Sequence, residues 1–185
     1  AAHETAFSDL AVLFNTKSVS VAERSSFKQG TAIAVGLPHE YTTQARRRTK
    51  SNQSPIWYIS TALYLGNRGA LFEGVHDGMK CAFETMIIKD IFGELPHGVV
   101  YKPYPGRRFL DQLPEEDAVD AADNVVYMRE RIDMRYLFDR ARILVTARSF
   151  STPSWCIMSG RPVVFIDSPG QASLTQEARK AFTAG

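Results

Sequence analysis

A short turn near the C-terminal end of the chain holds four hydroxyl side chains, those of Ser149, Ser151, Thr152 and Ser154. An apolar run at 142–146 precedes it, and Pro153 lies within it. Proline suits the first position of a helix, because an N–H group there would have no partner within the helix. Pro153 is therefore the predicted first helical residue, and Thr152, which precedes it, is the predicted N-cap. Because a helix N-terminus offers free N–H groups and a positive dipole end, the turn is a candidate phosphate site. An ordinary capped helix explains the same residues equally well.

Apolar, β-branched runs recur along the second part of the chain, at intervals that leave room for a helix between them. The predicted strands lie at 56–64, 98–102, 124–128, 142–146 and 162–166. Strands that alternate with helices are typical of a parallel, right-handed, doubly wound sheet. We therefore predict an α/β fold with a parallel sheet of about five to six strands flanked by helices.

The loops that follow these strands are rich in charged side chains. Ligands of parallel sheets bind at the carboxyl ends of the strands, where these loops lie. Beside a hydroxyl-rich turn, a set of cations at this edge favours a phosphorylated ligand. Each of them is also acceptable as an ordinary surface residue. The cations in question are Arg68, Lys102, Arg107, Arg108, Arg129, Arg131 and Arg148.

Several familiar catalytic motifs are missing from the sequence. It has no GxGxxG after the first strand of the predicted sheet, no GxxxxGK(S/T) and no GxSxG. A nicotinamide dinucleotide site, a P-loop and a hydrolase nucleophile elbow are therefore not predicted. His76 and Asp77 are adjacent and could act as a general-base pair. An aspartate that caps the helix beginning near Gly78 is the commoner use of such a residue.

Composition limits the class of protein. The 185 residues are 44% hydrophobic and carry a net charge of +2, which suffices for one sizeable core and does not indicate specific nucleic-acid binding. Cys81 and Cys156 show no metal-ligand spacing, so neither a metal site nor a disulfide is expected, and reduced thiols fit a cytoplasmic protein. No apolar run reaches about 18 residues, so no transmembrane helix is predicted.

The N-terminal part of the chain has a different pattern. Residues 1–54 are predicted to form an N-terminal arm and a basic linker, ahead of a sheet domain at 55–185. Within the arm the pattern favours a helix over about residues 5–15, a short strand at 19–22 and a better strand at 31–35. The linker carries Arg46, Arg47, Arg48 and Lys50. Such a cluster is usually a solvated surface, and peripheral contact with an anionic membrane is the alternative.

Three segments of the sheet domain resemble elements of GT-B glycosyltransferases that build bacterial surface polysaccharides. Residues 99–105 resemble their strand followed by Lys-Pro-His-Pro, with Tyr104 in place of the histidine. Residues 133–149 resemble the short helix, aspartate, strand and serine that come next. Residues 150–166 resemble the closing Ser-Ser/Thr, helix and Gly-Lys-Pro-Val element. These elements occur in families that use CMP-sugars or CDP-glycerol as donors.

The resemblance implies a Rossmann-like domain that binds the donor nucleotide of a glycosyl- or glycerophospho-transferase, with a carbohydrate or lipid-linked acceptor. It implies a metal-independent reaction without a cofactor, in which the nucleotide-sugar or CDP-alcohol donor is a substrate. Cationic side chains and helix N–H groups would stabilise charge on the leaving nucleotide. The nucleotide-binding residues that it implies are Thr61, Lys102, Tyr104, Arg148, Ser149, Ser151 and Thr152.

In such enzymes the general base usually comes from the other half of the protein. This chain is therefore expected to bind the donor without complete catalysis, and His76 and Asp77 are the catalytic candidates within it. Two alternatives stay open: a non-catalytic module for nucleotides or sugar phosphates, and a domain that contacts a membrane surface.

Overall fold

The computed structural model describes residues 8–25, 29–37, 55–64, 66, 75–106, 112–168 and 173–184. The chain divides into two compact units, residues 1–46 and residues 47–185. The predicted boundary between residues 54 and 55 stays a prediction, because residues 38–54 lie outside the described part.

The first unit contains a parallel βαβ arrangement. Strand β1 spans Leu10–Leu13, helix α1 spans Thr16–Glu23 and strand β2 spans Thr31–Ala34. The two strands pair in parallel along their whole length. A parallel pair needs a crossover connection, which α1 provides.

This arrangement confirms one of the three elements predicted for the arm. The strand predicted at 31–35 is present. The helix predicted over 5–15 is wrong for its described residues, which contain β1 and no helix. The strand predicted at 19–22 is wrong because those residues lie in α1. The physical reason is a cap: Oδ1 of Asn15 accepts a hydrogen bond of 2.8 Å from the Ser18 N–H, which starts the helix there.

The second unit is built on a five-stranded, fully parallel sheet. Its strands follow the order β5-β4-β3-β6-β7, so the strand order reverses beside β3. The predicted α/β fold is confirmed, and the arrangement is that of a Rossmann-like sheet. The strand bounds are Ile56–Ile59 for β3, Val99–Lys102 for β4, Val125–Tyr127 for β5, Ile143–Ala147 for β6 and Val163–Ile166 for β7.

Helices connect these strands. Short 3-10 turns at Met134–Tyr136 and Phe138–Arg140 join β5 to β6. Among the described residues, no helix is both long and apolar enough to cross a membrane. The helices are α2 at Asp77–Met86, α3 at Pro114–Asp120, α4 at Ser151–Met158 and α5 at Gln176–Thr183.

Helix α2 continues into a π-helical stretch at Ile87–Phe92, and this changes the face that is buried. The sequence predicts an inner face of Phe83, Met86, Ile87 and Ile91. Ile87 is buried as predicted, whereas Met86 and Ile91 are both 43% exposed. A π-helix has more residues per turn than an α-helix, so a regular spacing loses its register there.

The core of this unit lies on both faces of the sheet. On one face Tyr58 and Tyr101 pack with Ile87 of the π-helix. On the other face Trp57 packs with Cys156 of α4. Successive strand residues point to opposite faces, so Trp57 and Tyr58 enter different layers. With both faces covered, the carboxyl edge of the sheet is the place where polar side chains can meet a ligand.

Candidate functional site

A cavity of about 510 Å³ opens at the carboxyl ends of β3, β4 and β5. Three consecutive loops supply most of its wall, and the start of α3 closes one side. This is the position at which parallel sheets bind their ligands, and the volume is in the range of small-molecule sites. The lining residues are 60–64 after β3, 101–106 at the end of β4, Leu113 and Glu115 at α3, and Tyr127 with 129–131 at the end of β5.

Three cations line one side of the cavity. They are Lys102, Arg129 and Arg131. Lys102 is only 2% exposed, and its Nζ donates a 3.3 Å hydrogen bond to the carbonyl oxygen of Pro103. Burial lowers the pKa of Lys102, and the nearby carboxylates of Asp133 and Glu130 act in the opposite direction. An anionic ligand in the cavity would therefore stabilise an ammonium group that the fold has partly removed from water.

The guanidinium of Arg129 lies over the ring of Tyr127, 5.6 Å from its centroid. Stacking of this kind holds a long side chain in one orientation and leaves its N–H groups able to donate. The end of β5 thus contributes a positioned cation beside Lys102.

The wall formed by α3 is acidic and hydrogen-bonded. Glu115 is 3% exposed, and its Oε2 accepts a 2.6 Å hydrogen bond from the Tyr64 hydroxyl and a 3.5 Å contact from the Cys81 thiol. Burial raises the pKa of both Tyr64 and Cys81. Both groups consequently stay protonated near neutral pH and act as donors to the carboxylate, which lines the same cavity as the cations.

The wall also contains a hydroxyl without a partner in the described part of the chain. Thr61 lines the cavity and is 7% exposed, and among the described residues its Oγ1 makes no hydrogen bond. A buried hydroxyl that makes no hydrogen bond is unfavourable. A ligand with a polar group at this position would satisfy it.

Behind the cavity wall lies a buried carboxyl group that the sequence patterns did not single out. Glu84 of α2 is 1% exposed, and it accepts hydrogen bonds from the hydroxyls of Tyr58, at 2.7 Å, and Tyr101, at 3.1 Å. Burial raises the pKa of Glu84 to about 7, while the Tyr58 hydrogen bond, the charge of Arg148 and the hydroxyl of Ser60 favour the ionised form. One signal could have found it: Glu84 shares a helical face with Cys81, Ile87 and Ile88, where an acid is out of place.

The predicted nucleotide-binding residues divide into two groups. Thr61, Lys102 and Tyr104 line the cavity, and Tyr104 is 53% exposed. The other four, Arg148 and Ser149 in the turn after β6 and Ser151 and Thr152 at the start of α4, are not among its lining residues. The structure therefore brings together the two loops after β3 and β4, and not the turn that was predicted to face them.

The turn between β6 and α4 uses its polar groups differently. Arg148 is 3% exposed, and its φ of +71° is one that residues other than glycine seldom adopt. The hydroxyl of Ser149 donates to the carbonyl oxygen of Ser173 at 3.1 Å. The prediction that Thr152 caps α4 is wrong. The helix begins at Ser151 after Phe150, because Pro153 needs no N–H partner anywhere in the first turn.

The predicted catalytic pair lies outside the residues that line the cavity. His76 occupies the N-cap position of α2 without capping it through its side chain. Asp77 is the first residue of α2, where it accepts a 2.6 Å hydrogen bond from the Gly66 N–H and lies 3.4 Å from Nζ of Lys80. These contacts give Asp77 a structural role at the helix start.

Several predicted cations lie outside the described residues. Among those for the carboxyl edge, these are Arg68, Arg107 and Arg108. The basic linker is also outside, so contact of Arg46, Arg47, Arg48 and Lys50 with a membrane stays a prediction. Within the described part of the chain, no group of three or more His, Cys, Asp or Glu side chains is placed to hold a metal ion.

Comparison with protein families, with curated proteins and with solved structures gives no match to this chain.

Proposed function

We propose that this chain binds a nucleotide-activated donor in the cavity at the carboxyl ends of β3, β4 and β5. In this proposal it is the donor domain of a GT-B glycosyl- or glycerophospho-transferase of the type that uses CMP-sugars or CDP-alcohols. The observation that carries the proposal is the buried ammonium of Lys102 beside Arg129 and Arg131 in a cavity at this edge of a parallel sheet.

The cations suit a diphosphate or a phosphodiester. A buried ammonium and two exposed guanidinium groups can donate to several phosphate oxygens at once, and the bond from the ammonium is the one that water screens least. If the donor reacts there, the same groups stabilise the negative charge that grows on the leaving nucleotide. The hydroxyl of Thr61 and the carboxylate of Glu115 are available to orient the rest of the ligand.

A binding module without chemistry is the second candidate. It is favoured by the position of His76 and Asp77, which do not line the cavity. Accumulation of free CMP when the chain is incubated with CDP-glycerol and a lipid-linked acceptor would exclude a pure binding module. Chromatography detects the released nucleotide.

The test of the proposed site is a calorimetric titration with CDP-glycerol, a UDP-sugar and a GDP-sugar. We expect CDP-glycerol to bind more tightly than the other two, and Lys102→Met to weaken that binding about 30-fold, the loss expected when a hydrogen bond to a charged group is removed. Lys89→Met is the matched control, because Lys89 is exposed on the π-helical stretch and is not among the cavity-lining residues. Absence of binding to all three, or equal affinities of the two variants, would contradict the proposal.

A further inference from the structure

The Glu84 carboxyl group lies at the junction of three segments. It accepts one hydrogen bond from Tyr58 of β3 and one from Tyr101 of β4, each on a different oxygen atom. The guanidinium of Arg148, in the turn after β6, acts on it through its charge. One side chain of α2 thus joins two neighbouring strands of the sheet to the turn that follows a third.

Two of the groups that surround Glu84 also line the cavity. They are Ser60 and Tyr101. The remaining neighbours lie behind the wall: Tyr58 on β3 and Arg148 after β6. From α3, the carboxylate of Glu115 acts on Tyr101. On α2 itself, Asp77, Lys80 and Cys81 are the other titratable groups. Tyr101 donates directly to Glu84, and the hydroxyl of Ser60 donates to the Thr61 carbonyl oxygen at 3.3 Å while it also acts on the carboxyl group. A ligand in the cavity is therefore separated from Glu84 by these two side chains.

We propose that Glu84 is a positioning residue of the cavity, and that ligand binding is coupled to the protonation of its carboxyl group through Ser60 and Tyr101. This inference rests on the proposed function, since it needs an anion in the cavity. A bound anion disfavours a second negative charge behind the wall. A hydroxyl that turns from Glu84 to the ligand removes a hydrogen bond from the carboxylate. Both effects favour the neutral acid, so binding takes up a proton.

The sign of the pH dependence follows from this coupling. If binding takes up a proton, affinity is highest where Glu84 is already protonated and falls as the pH rises. Lys102 also makes the affinity fall as the pH rises. Its pKa is lowered, so it loses its charge at a lower pH than a surface lysine does. A variant at position 84 isolates the carboxyl group, since Lys102 is unchanged in it.

The experiment is a calorimetric titration of the full chain with CDP-glycerol between about pH 5.5 and about pH 8, in two buffers of different ionisation enthalpy. Each phosphate of this probe carries one ester and one anhydride bond, which leaves a single strongly acidic oxygen that stays ionised over that range. For the wild-type chain we expect proton uptake on binding. We also expect the affinity to fall about tenfold across this pH range, because the ligand raises the pKa of Glu84 by about one unit. Glu84→Gln should abolish most of the pH dependence of the affinity and most of the proton uptake. Glu94→Gln, which alters an exposed carboxylate, should leave both quantities unchanged.

Tyr58→Phe provides a second variant in case Glu84→Gln does not fold. Tyr58 is not among the cavity-lining residues, and its removal takes one hydrogen bond from the carboxylate. The midpoint of the affinity profile should therefore move to higher pH by about one unit. Retained binding with the same slope in the wild-type, Glu84→Gln and Tyr58→Phe chains would overturn the inference and leave the proposed function standing. Absence of binding at every pH would overturn both.

Discussion

The two halves of the carboxyl edge of the sheet carry similar side chains and use them in opposite ways. After β4 and β5, Lys102, Arg129 and Arg131 line a cavity. After β6, Arg148 is buried beside Glu84, and Ser149 donates to the backbone of Ser173. Lys102 and Arg148 are equally buried, at 2% and 3% exposure, so the difference lies in what their side chains adjoin: Lys102 lines the cavity and Arg148 does not. At Arg148 the backbone takes a left-handed conformation, and the side chain becomes part of the interior.

The largest effect is expected from removing the interior cation. Arg148→Ala should lower the free energy of unfolding by about 3 to 5 kcal/mol at about pH 8, because Glu84 then keeps a buried charge without its guanidinium partner. Arg148→Gly should lose about 1 kcal/mol less, since glycine adopts a φ of +71° without strain. Urea denaturation measures both. Wild-type stability of the alanine variant would show that Arg148 is a rim residue after all.

The next effect concerns Glu84 and pH. Burial raises the pKa of Glu84 from 4.5 to about 7, so the folded state holds a proton that the unfolded chain has lost between these values. Glu84 therefore makes its full contribution to the free energy of unfolding below about pH 4.5, and this contribution is lost as the pH rises through about 7. Relative to Glu84→Gln, the wild-type chain should lose on the order of 3 kcal/mol over that interval. Denaturation curves at several pH values give the slope, and parallel curves for the two proteins would refute the expectation.

A smaller effect distinguishes two threonines at the same edge. Thr61→Val should stabilise the empty protein by about 1 kcal/mol, because it removes a buried hydroxyl that makes no hydrogen bond to the described residues. Thr146→Val is the matched control and should destabilise it by a similar amount, since its hydroxyl donates to the Ile59 carbonyl oxygen at 3.1 Å. The thermal unfolding temperature should rise in the first variant and fall in the second. If Thr61 contacts the donor, its valine variant should also bind CDP-glycerol about fivefold more weakly.

The smallest effect is expected at the first two residues of α4. The double variant Ser151→Ala with Thr152→Val should change the affinity for CDP-glycerol by less than about twofold, because neither residue is among those lining the cavity. The same titration that tests Lys102→Met measures it. A large loss of affinity would show that the phosphate binds at these two residues, and that the half of the edge after β6 holds the ligand.

The strands of the sheet were predictable because their signal is local. Each of β3, β4, β6 and β7 is a run of apolar and largely β-branched or aromatic residues, as strands buried on both faces require. The arm was harder. Leu10–Leu13 is an apolar run too short to distinguish a strand from a helix, and the start of α1 depends on the side chain of Asn15, which caps it.

The candidate site was predictable only in part. That polar residues meet at the carboxyl edge follows from parallel topology, and this placed Thr61, Lys102 and Tyr104 together. Which half of that edge opens into a cavity depends on side-chain direction, which no spacing rule gives. The burial of Arg148 needs both its left-handed backbone and a counter-charge on Glu84, two residues that are far apart in the sequence.

The position of β3 at the centre of the sheet has a consequence for how the chain folds during synthesis. β3 is the first strand of this sheet to leave the ribosome, and β4 and β5 then add outward on one side. All described residues that line the cavity lie between 60 and 131, so this half can assemble before β6 has been made. Until then one edge of β3 is unpaired, and it is the place where a nascent chain is most exposed to wrong pairing.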